Sequence, residues 1–361
     1  MVTDGAADTH AQKDALRDAL RDALRDAARS AQMRNWLTTT LGNSDWSLAP
    51  ASNDASFRRY FRISGRFPDR QSSLIVMDAP PDKEDCRPFV QVAGLFAQSG
   101  ANVPAVLAQD LAGGFLLLSD LGRLTYLSAL QSGADPDPLY REAITALIAI
   151  QKGGKPGTLP EYDRTLLERE LMLFPDWFVA QQLKRTLSDA QRQTLKQAFE
   201  AILANNLAQP RVHVHRDYHS RNLMVTTPNP GILDFQDAVY GPITYDLVSL
   251  LRDAYIAWPE ERVIDWCVRY WEGARKARLP VAADFADFYR DFEWMGAQRQ
   301  LKVVGIFARL CHRDGKDGYL RDQPLVMSYL RSTCGRYREL APLARLLDEL
   351  NQTATASGYT F

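Results

Sequence analysis

Asp217, Asn222 and Asp234 are the residues of this chain best spaced for joint chemistry. They lie in the run Arg211-Val-His-Val-His215, Arg216-Asp-Tyr-His-Ser-Arg-Asn222, Leu223-Met-Val-Thr226 and, after a Pro/Asn/Gly turn, Gly231-Ile-Leu-Asp-Phe235. Two short strands joined by Pro228-Asn-Pro-Gly231 make a hairpin that brings both acidic residues to the same end. Carboxylate and amide oxygens are hard ligands suited to magnesium, and a lone carboxylate can orient a hydroxyl and take its proton. Phosphoryl transfer needs that combination, because its transition state is stabilised by positioning and charge neutralisation, not by covalent chemistry. Singly, such residues are ordinary turn formers; it is their joint spacing that points to a site.

The elements that position this segment change character along the chain. Residues 1–34 read as a helical extension, with Asp-Ala-Leu-Arg repeats placing Leu16, Leu20 and Leu24 on one stripe. Its alternating Asp and Arg predict a solvated or docked helix without a basic face. Residues 35–119 read as a strand-rich lobe with strands at Trp46–Pro50, Phe57–Ile63, Leu74–Asp78, Val106–Gln109 and Phe115–Ser119 and one helix near Arg87–Ser99. Residues 120–361 read as a helical lobe, with helices near Leu139–Gln151, Thr165–Leu183, Asp189–Leu207, Tyr245–Tyr255, Glu260–Ala277 and Asp284–Cys311 and the catalytic hairpin at 211–236. The fold expected is α+β and bilobal, with a small antiparallel-sheet N-lobe ahead of a larger helical C-lobe.

Composition narrows the partners. The chain has 361 residues, 43 of them basic and 44 acidic, and is 46% hydrophobic, enough for about two domains with buried cores. A net charge of -1 gives no general field for polyanions, so nucleic acid is not expected and a small molecule is. Cys86, Cys267, Cys311 and Cys334 lack the close pairing of a zinc site or a disulfide scaffold and read as reduced thiols. With no signal-like start and no bilayer-length apolar run, the expected location is the cytoplasm, away from membranes.

His215-Arg-Asp217 with Asn222 fits the H-R-D-x-x-x-x-N catalytic loop of protein kinases, and Asp234-Phe-Gln236 stands where D-F-G would be. From about Trp36 onward the chain resembles the aminoglycoside phosphotransferase and choline kinase-like superfamily, whose members have the bilobal kinase-like fold and phosphorylate small molecules. Ser56-Phe-Arg-Arg-Tyr-Phe-Arg62, Val76-Met-Asp-Ala-Pro-Pro81, Glu170-Leu-Met-Leu-Phe-Pro-Asp-Trp-Phe178 and His215-Arg-Asp-Tyr-His-Ser-Arg-Asn222 resemble its cell-wall recycling branch, the anomeric kinases of N-acetylmuramate and N-acetylglucosamine. The resemblance implies ATP and Mg²⁺, with Asp217 as catalytic base and Asn222 and Asp234 as metal ligands. It also implies that Asp246 supports the catalytic loop through backbone hydrogen bonds.

The nucleotide side departs from the kinase pattern. Leu116-Leu-Leu-Ser-Asp-Leu-Gly122 fits a hinge, in which Ser119, Asp120 and Leu121 would face the adenine edge. Asn53-Asp-Ala-Ser56, followed by Phe57, would be the phosphate loop, although it lacks glycines. Met77 occupies the third-strand position where a kinase has its phosphate-pairing lysine. Arg58 and Arg62 on one strand face, and Arg59 on the other, are the cations able to replace it.

For the acceptor, Glu170, Asp176, Trp177, His219, Arg299 and His312 are the candidates, with Lys302 and Arg309 beside them. The Arg299–Arg321 stretch is mainly basic, which suits an acidic sugar better than a polycationic aminoglycoside. His213 and His215 read as structural histidines. The reaction expected is transfer of the ATP γ-phosphoryl group to the C1 hydroxyl of an N-acetylated amino sugar. The alternatives are another acceptor on the same fold, or a nucleotide-binding pseudokinase suggested by the absent lysine.

Overall fold

A computed structural model describes residues 24, 26–52, 57–67 and 72–356, with the backbone alone at residues 52 and 352–356. The chain divides into two compact units at Arg87/Pro88, Pro104/Ala105 and Asp120/Leu121. Leu16 and Leu20 of the repeat, and the loop 53–56 with Ser56, lie outside the described residues.

The first unit is a five-stranded antiparallel sheet with one helix against it. Its strands are β1 (Trp46–Ser52), β2 (Arg59–Gly65), β3 (Ser73–Asp78), β4 (Val106–Asp110) and β5 (Phe115–Ser119), ordered β1-β2-β3-β5-β4. Alternation along β3 and β5 sends Leu74, Val76, Phe115 and Leu117 to one face, where they pack with Ile63. Helix α1 (residues 26–41) covers that face with Met33 and Leu37, four apart on its stripe. Leu24 is exposed. Arg29 ties the same helix to the end of β3 and the start of β5, its Nε donating to Asp78 Oδ1 at 2.8 Å and its guanidinium lying 3.9 Å from the Phe115 ring centroid. β4 and β5 turn at Gly114, whose φ of 72° and approach to the Ala79 carbonyl exclude a side chain.

The second unit is mostly helical. Helix α2 (Arg87–Gln98) buries Phe89, Val92, Ala93 and Phe96, a 3-1-3 spacing that defines one face. After it come α3 (Tyr126–Gln131), α4 (Pro136–Lys152), α5 (Arg164–Leu171), a π-helical segment (Phe174–Gln182) and α6 (Asp189–Ala208). Then follow β6 (Arg211–Val214), β7 (Leu223–Met224), β8 (Gly231–Ile232), β9 (Val239–Pro242), α7 (Tyr245–Leu251), α8 (Glu260–Lys276), α9 (Phe285–Asp314), a 3₁₀ turn (Asp317–Asp322), α10 (Gln323–Arg336) and α11 (Ala341–Ala356). β6 pairs antiparallel with β9, and β7 with β8.

Two helices differ from the sequence expectation. The single helix expected over Thr165–Leu183 breaks before Phe174 and continues with π-type bonding, because Pro175 has no N–H for the α ladder. The helix expected over Tyr245–Tyr255 ends at Leu251, and Asp253 beyond it turns to accept from the Tyr255 N–H. Helix α9 organises the unit, buried along most of its length from Phe288 to Ala308. At Gly305 it lies so close to Leu173 that a Cβ would stand 2.4 Å from the Leu173 carbonyl carbon. Replacing Gly305 with Ala should therefore lower stability by about 1–3 kcal/mol through overpacking. Urea unfolding measures this, and an unchanged midpoint would contradict the close approach.

Candidate active site

The loop that carries Asp217 and the hairpin that carries Asp234 both lie within the helical unit. β6 ends at Val214, and the chain turns through His215 and Arg216 with Arg216 at φ 78°. A non-glycine residue in that region must be held there. Asp246, at the start of α7, does so: its Oδ2 accepts from the His215 N–H at 2.6 Å and its Oδ1 from the Arg216 N–H at 2.9 Å. Burial raises the Asp246 carboxyl to about 7, against the two N–H groups that favour its ionised form.

His215 ties the loop to the hairpin. Its Nδ1 accepts from the Asp217 N–H at 3.2 Å, and its Nε2 lies 2.9 Å from the Leu233 carbonyl. This pattern assigns the proton to Nε2. Burial lowers the imidazole to about 4, so the ring is neutral at physiological pH. Leu233 N–H donates in turn to the Asn222 carbonyl at 2.9 Å. The Asn222 amide donates to the Asp217 carbonyl at 3.0 Å and reaches Asp234 Oδ2 at 3.4 Å. Asp234 has φ 62°, and its Oδ1 accepts from Gln236 Nε2 at 2.8 Å. The Asn222 amide therefore links the Asp217 backbone to the Asp234 carboxylate. The Asp234 carboxylate and the Asn222 amide are neighbours whose oxygens are of the hard type that fits Mg²⁺, the remaining positions falling to water and phosphate. No cluster of three or more His, Cys, Asp or Glu side chains suited to a metal occurs among the described residues.

Under this loop lies a buried charge cluster. Glu170, 4% exposed, has Arg216 Nη2 at 2.5 Å and Lys302 Nζ at 3.2 Å from its Oε1. Its Oε2 accepts from Tyr162 OH and from Gln298 Nε2, the latter at 3.1 Å. Burial works to raise the Glu170 carboxyl, and the cations Lys302 and Arg216 overcome it, holding the group below its ordinary value. The Asp217 side chain is 43% exposed. Partial desolvation opposes its charge, yet Lys302, His219, Arg299 and Arg216 hold it down to about 2. Asp217 is thus an ionised carboxylate throughout the neutral range.

The other candidates fall elsewhere. Glu170 is occupied inside the cluster, while Arg299 lies 4.0 Å from Asp217 Oδ1 and the His219 ring packs edge-on to Tyr255. Asp176 is exposed and Trp177 half-buried in the π-helical segment; His312 is exposed near the end of α9. Leu121 is half-buried. In the sheet unit Met77 is fully buried and Phe57 is exposed. Arg58 lies 3.7 Å from Glu84, Arg59 pairs with Asp78 and Asp26, and Arg62 grips Asp120 at 2.6 and 3.0 Å. Ser73 Oγ also donates to Asp120, and Ser119 Oγ accepts from the Ala105 N–H.

Sequence reading passed over Asp253. Fully buried, it accepts from both the N–H and the hydroxyl of Ser220 and so fixes the middle of the loop. The signal was present: a second aspartate seven residues after Asp246, in an apolar run, has to find buried donors.

The phosphotransferase enzyme family matches residues 47–283, and the chain belongs to it. An N-acetylmuramate/N-acetylglucosamine kinase of Pseudomonas aeruginosa is 54% identical over 309 residues, covering 86% of this chain and 90% of that protein. A kinase of the same name from Neisseria meningitidis is 52% identical over 334 residues, 91% of this chain and 98% of that protein. Among solved structures, the choline kinase of Streptococcus pneumoniae superposes with a TM-score of 0.59 at 11% identity, covering 84% of this chain and 99% of that one. A gentamicin-bound aminoglycoside phosphotransferase superposes with a TM-score of 0.54 at 15% identity, covering 83% and 95%. The fold is therefore the kinase-like one of these enzymes. No described helix is long and apolar enough to cross a membrane.

Glu170 should be worth more to stability than to chemistry. Glu170→Ala leaves Arg216 and Lys302 as buried cations without their carboxylate, and the expected cost is about 3–5 kcal/mol. Chemical denaturation reads this directly, and a loss below about 1 kcal/mol would contradict the cluster.

Proposed function

We propose that this phosphotransferase uses ATP to phosphorylate the anomeric C1 hydroxyl of N-acetylmuramate and N-acetylglucosamine, in peptidoglycan recycling in the cytoplasm. The observation that carries the reading is the convergence of Asp217, Asn222 and Asp234 through the Asn222 amide, in a chain more than half identical to kinases named for those sugars.

The residues act by position. Asp217 accepts a hydrogen bond from the acceptor's C1 hydroxyl, aims its oxygen at the terminal phosphorus and takes the proton late in the transfer. A carboxylate held near 2 is a weak base. That suits an acceptor more acidic than an ordinary alcohol, as an anomeric hydroxyl is, in a loose transition state. Asp234 and Asn222 would hold Mg²⁺, which when bound neutralises charge on the donor phosphates. Asp246, Asp253 and His215 keep the loop from rearranging as charge moves. Nucleotide contacts are assigned to Ser56, Phe57, Arg58, Arg59, Arg62, Met77, Ser119, Asp120 and Leu121. One of the three arginines takes the part of the absent lysine by exchanging its carboxylate partner for phosphate oxygens.

The test is an ADP-release assay with Mg²⁺-ATP and a panel of N-acetylmuramate, N-acetylglucosamine, choline and kanamycin. Turnover is expected with the two amino sugars and not with the other two. Asp217→Asn should lower kcat by about a hundred- to ten-thousandfold while the KM for ATP stays within about threefold. Unchanged turnover in that variant, or preference for kanamycin or choline, would contradict the reading.

A further inference from the structure

Two guanidinium groups near His219 and Tyr255 are left with little to do. Arg299, on α9, is 6% exposed; its one ion-pair contact is Asp217 at 4.0 Å, beyond hydrogen-bond distance, and its buried Nε has no partner. Arg221 sits in the loop between Ser220 and Asn222, with its guanidinium carbon 3.5 Å from the Tyr255 ring centroid and 5.9 Å from that of Tyr319. Its nearest carboxylate oxygen, Asp322 Oδ2, is 3.9 Å away, and that oxygen is itself buried without a hydrogen-bond partner. His219 turns an edge to Tyr255 at 5.4 Å between ring centroids, and its Nδ1 is also buried without a partner. Both arginines are close enough to His219 and to Tyr255 to act on them electrostatically.

The contrast with the neighbouring cations is informative. The guanidinium of Arg216 donates to Glu170, and Lys302 donates to Tyr245 and lies 3.2 Å from Glu170, whereas Arg221, its side chain 34% exposed, and the buried Arg299 donate no hydrogen bond to any described residue. A buried guanidinium edge without an acceptor is costly, and a ligand that supplies one removes the cost. The fork of an arginine matches a carboxylate with two parallel hydrogen bonds, and stacking on Tyr255 fixes its plane in advance. Two anions take part in the proposed reaction: the transferring phosphoryl group and, for N-acetylmuramate, the carboxylate of its lactyl ether. Consecutive loop residues separate them. The Asn222 side chain reaches toward Asp234, whereas that of Arg221 turns to Tyr255, Tyr319 and Asp322.

Building on the sugar-kinase reading, we propose that Arg221 and Arg299 form a carboxylate-reading subsite for the acceptor, with Tyr255 and His219 as its wall. N-acetylglucosamine lacks that carboxylate, so the subsite sets the preference between the two sugars and leaves the reaction common to both. The acceptor carboxylate displaces the distant Asp322 contact of Arg221 and completes the bare Nε of Arg299.

The experiment compares kcat and KM for both sugars, and KM for ATP, in the wild type and in the R221Q, R221K and R299Q variants, with thermal melts to check folding. In R221Q the ratio of kcat/KM for N-acetylmuramate to that for N-acetylglucosamine should fall roughly thirtyfold or more, chiefly through KM, as for a charged pair losing one member. R221K keeps the charge without the fork; it should recover part of the ratio and carries the test if R221Q does not fold. R299Q should lower the ratio too, with some loss on both sugars because Arg299 also faces Asp217. Equal losses on both sugars in R221Q and R221K, or a raised KM for ATP at constant ratio, would give these cations to the phosphoryl group and overturn the subsite. So would an unchanged ratio. A wild-type chain inactive on both sugars would instead defeat the underlying sugar-kinase reading, and the subsite with it.

Discussion

Arg216 is held at both ends, and the site depends on that. Its backbone N–H is fixed by Asp246 and its guanidinium by Glu170, so a residue in the left-handed region becomes the most constrained point of the loop. With Arg216 fixed, the next residue has little choice of direction: Asp217 presents its carboxylate above the buried cluster, its N–H anchored on His215. The cluster supplies the positive surroundings that keep Asp217 ionised despite the desolvation its position imposes. One arrangement thus fixes both the geometry and the charge state of the group at the centre of the site.

The supports come from several distant parts of the chain, which is why α9 matters. It contributes Gln298, Arg299 and Lys302 from successive positions on one side, two of them to Glu170 and one to Asp217. Glu170 comes from α5 just before the π-helical segment, and Gly305 lets α9 approach the Leu173 backbone that follows α5. Packing and electrostatics are coupled here, because a wider gap between α9 and Leu173 would also lengthen the Lys302–Glu170 contact at 3.2 Å. The buried ion pairs contribute position more than net stability, since desolvation cancels much of their attraction.

Much of this was legible in the sequence, for definite reasons. Oxygen-bearing residues at the intervals of Asp217, Asn222 and Asp234 are uncommon, and the turn at Pro228–Gly231 forces the strands beside them to pair. The central strands β3 and β5 were readable because Leu74–Met77 and Phe115–Leu118 are short apolar runs bounded by polar residues or glycine. What escaped were long-range pairings. Glu170 reads as a sugar ligand until one sees Arg216 and Lys302 closing on it, and Arg58 with the two β2 arginines, Arg59 and Arg62, reads as a set of bare phosphate clamps until Glu84, Asp78 and Asp120 appear beside them. Helices α10 and α11 were passed over although Leu343, Leu346, Leu347 and Leu350 keep helical spacing. The π-helical segment needed the consequence of Pro175 to be followed into the next turn.

The central claim is that the pinned loop lets one carboxylate direct a phosphoryl group onto the acceptor's anomeric oxygen. Phosphorus NMR of the product from N-acetylmuramate and Mg²⁺-ATP addresses it most directly. The account predicts a phosphomonoester resonance coupled to the sugar H1, from a sugar 1-phosphate. A phosphate coupled to the C6 protons, or ADP and inorganic phosphate without a sugar phosphate, would contradict it.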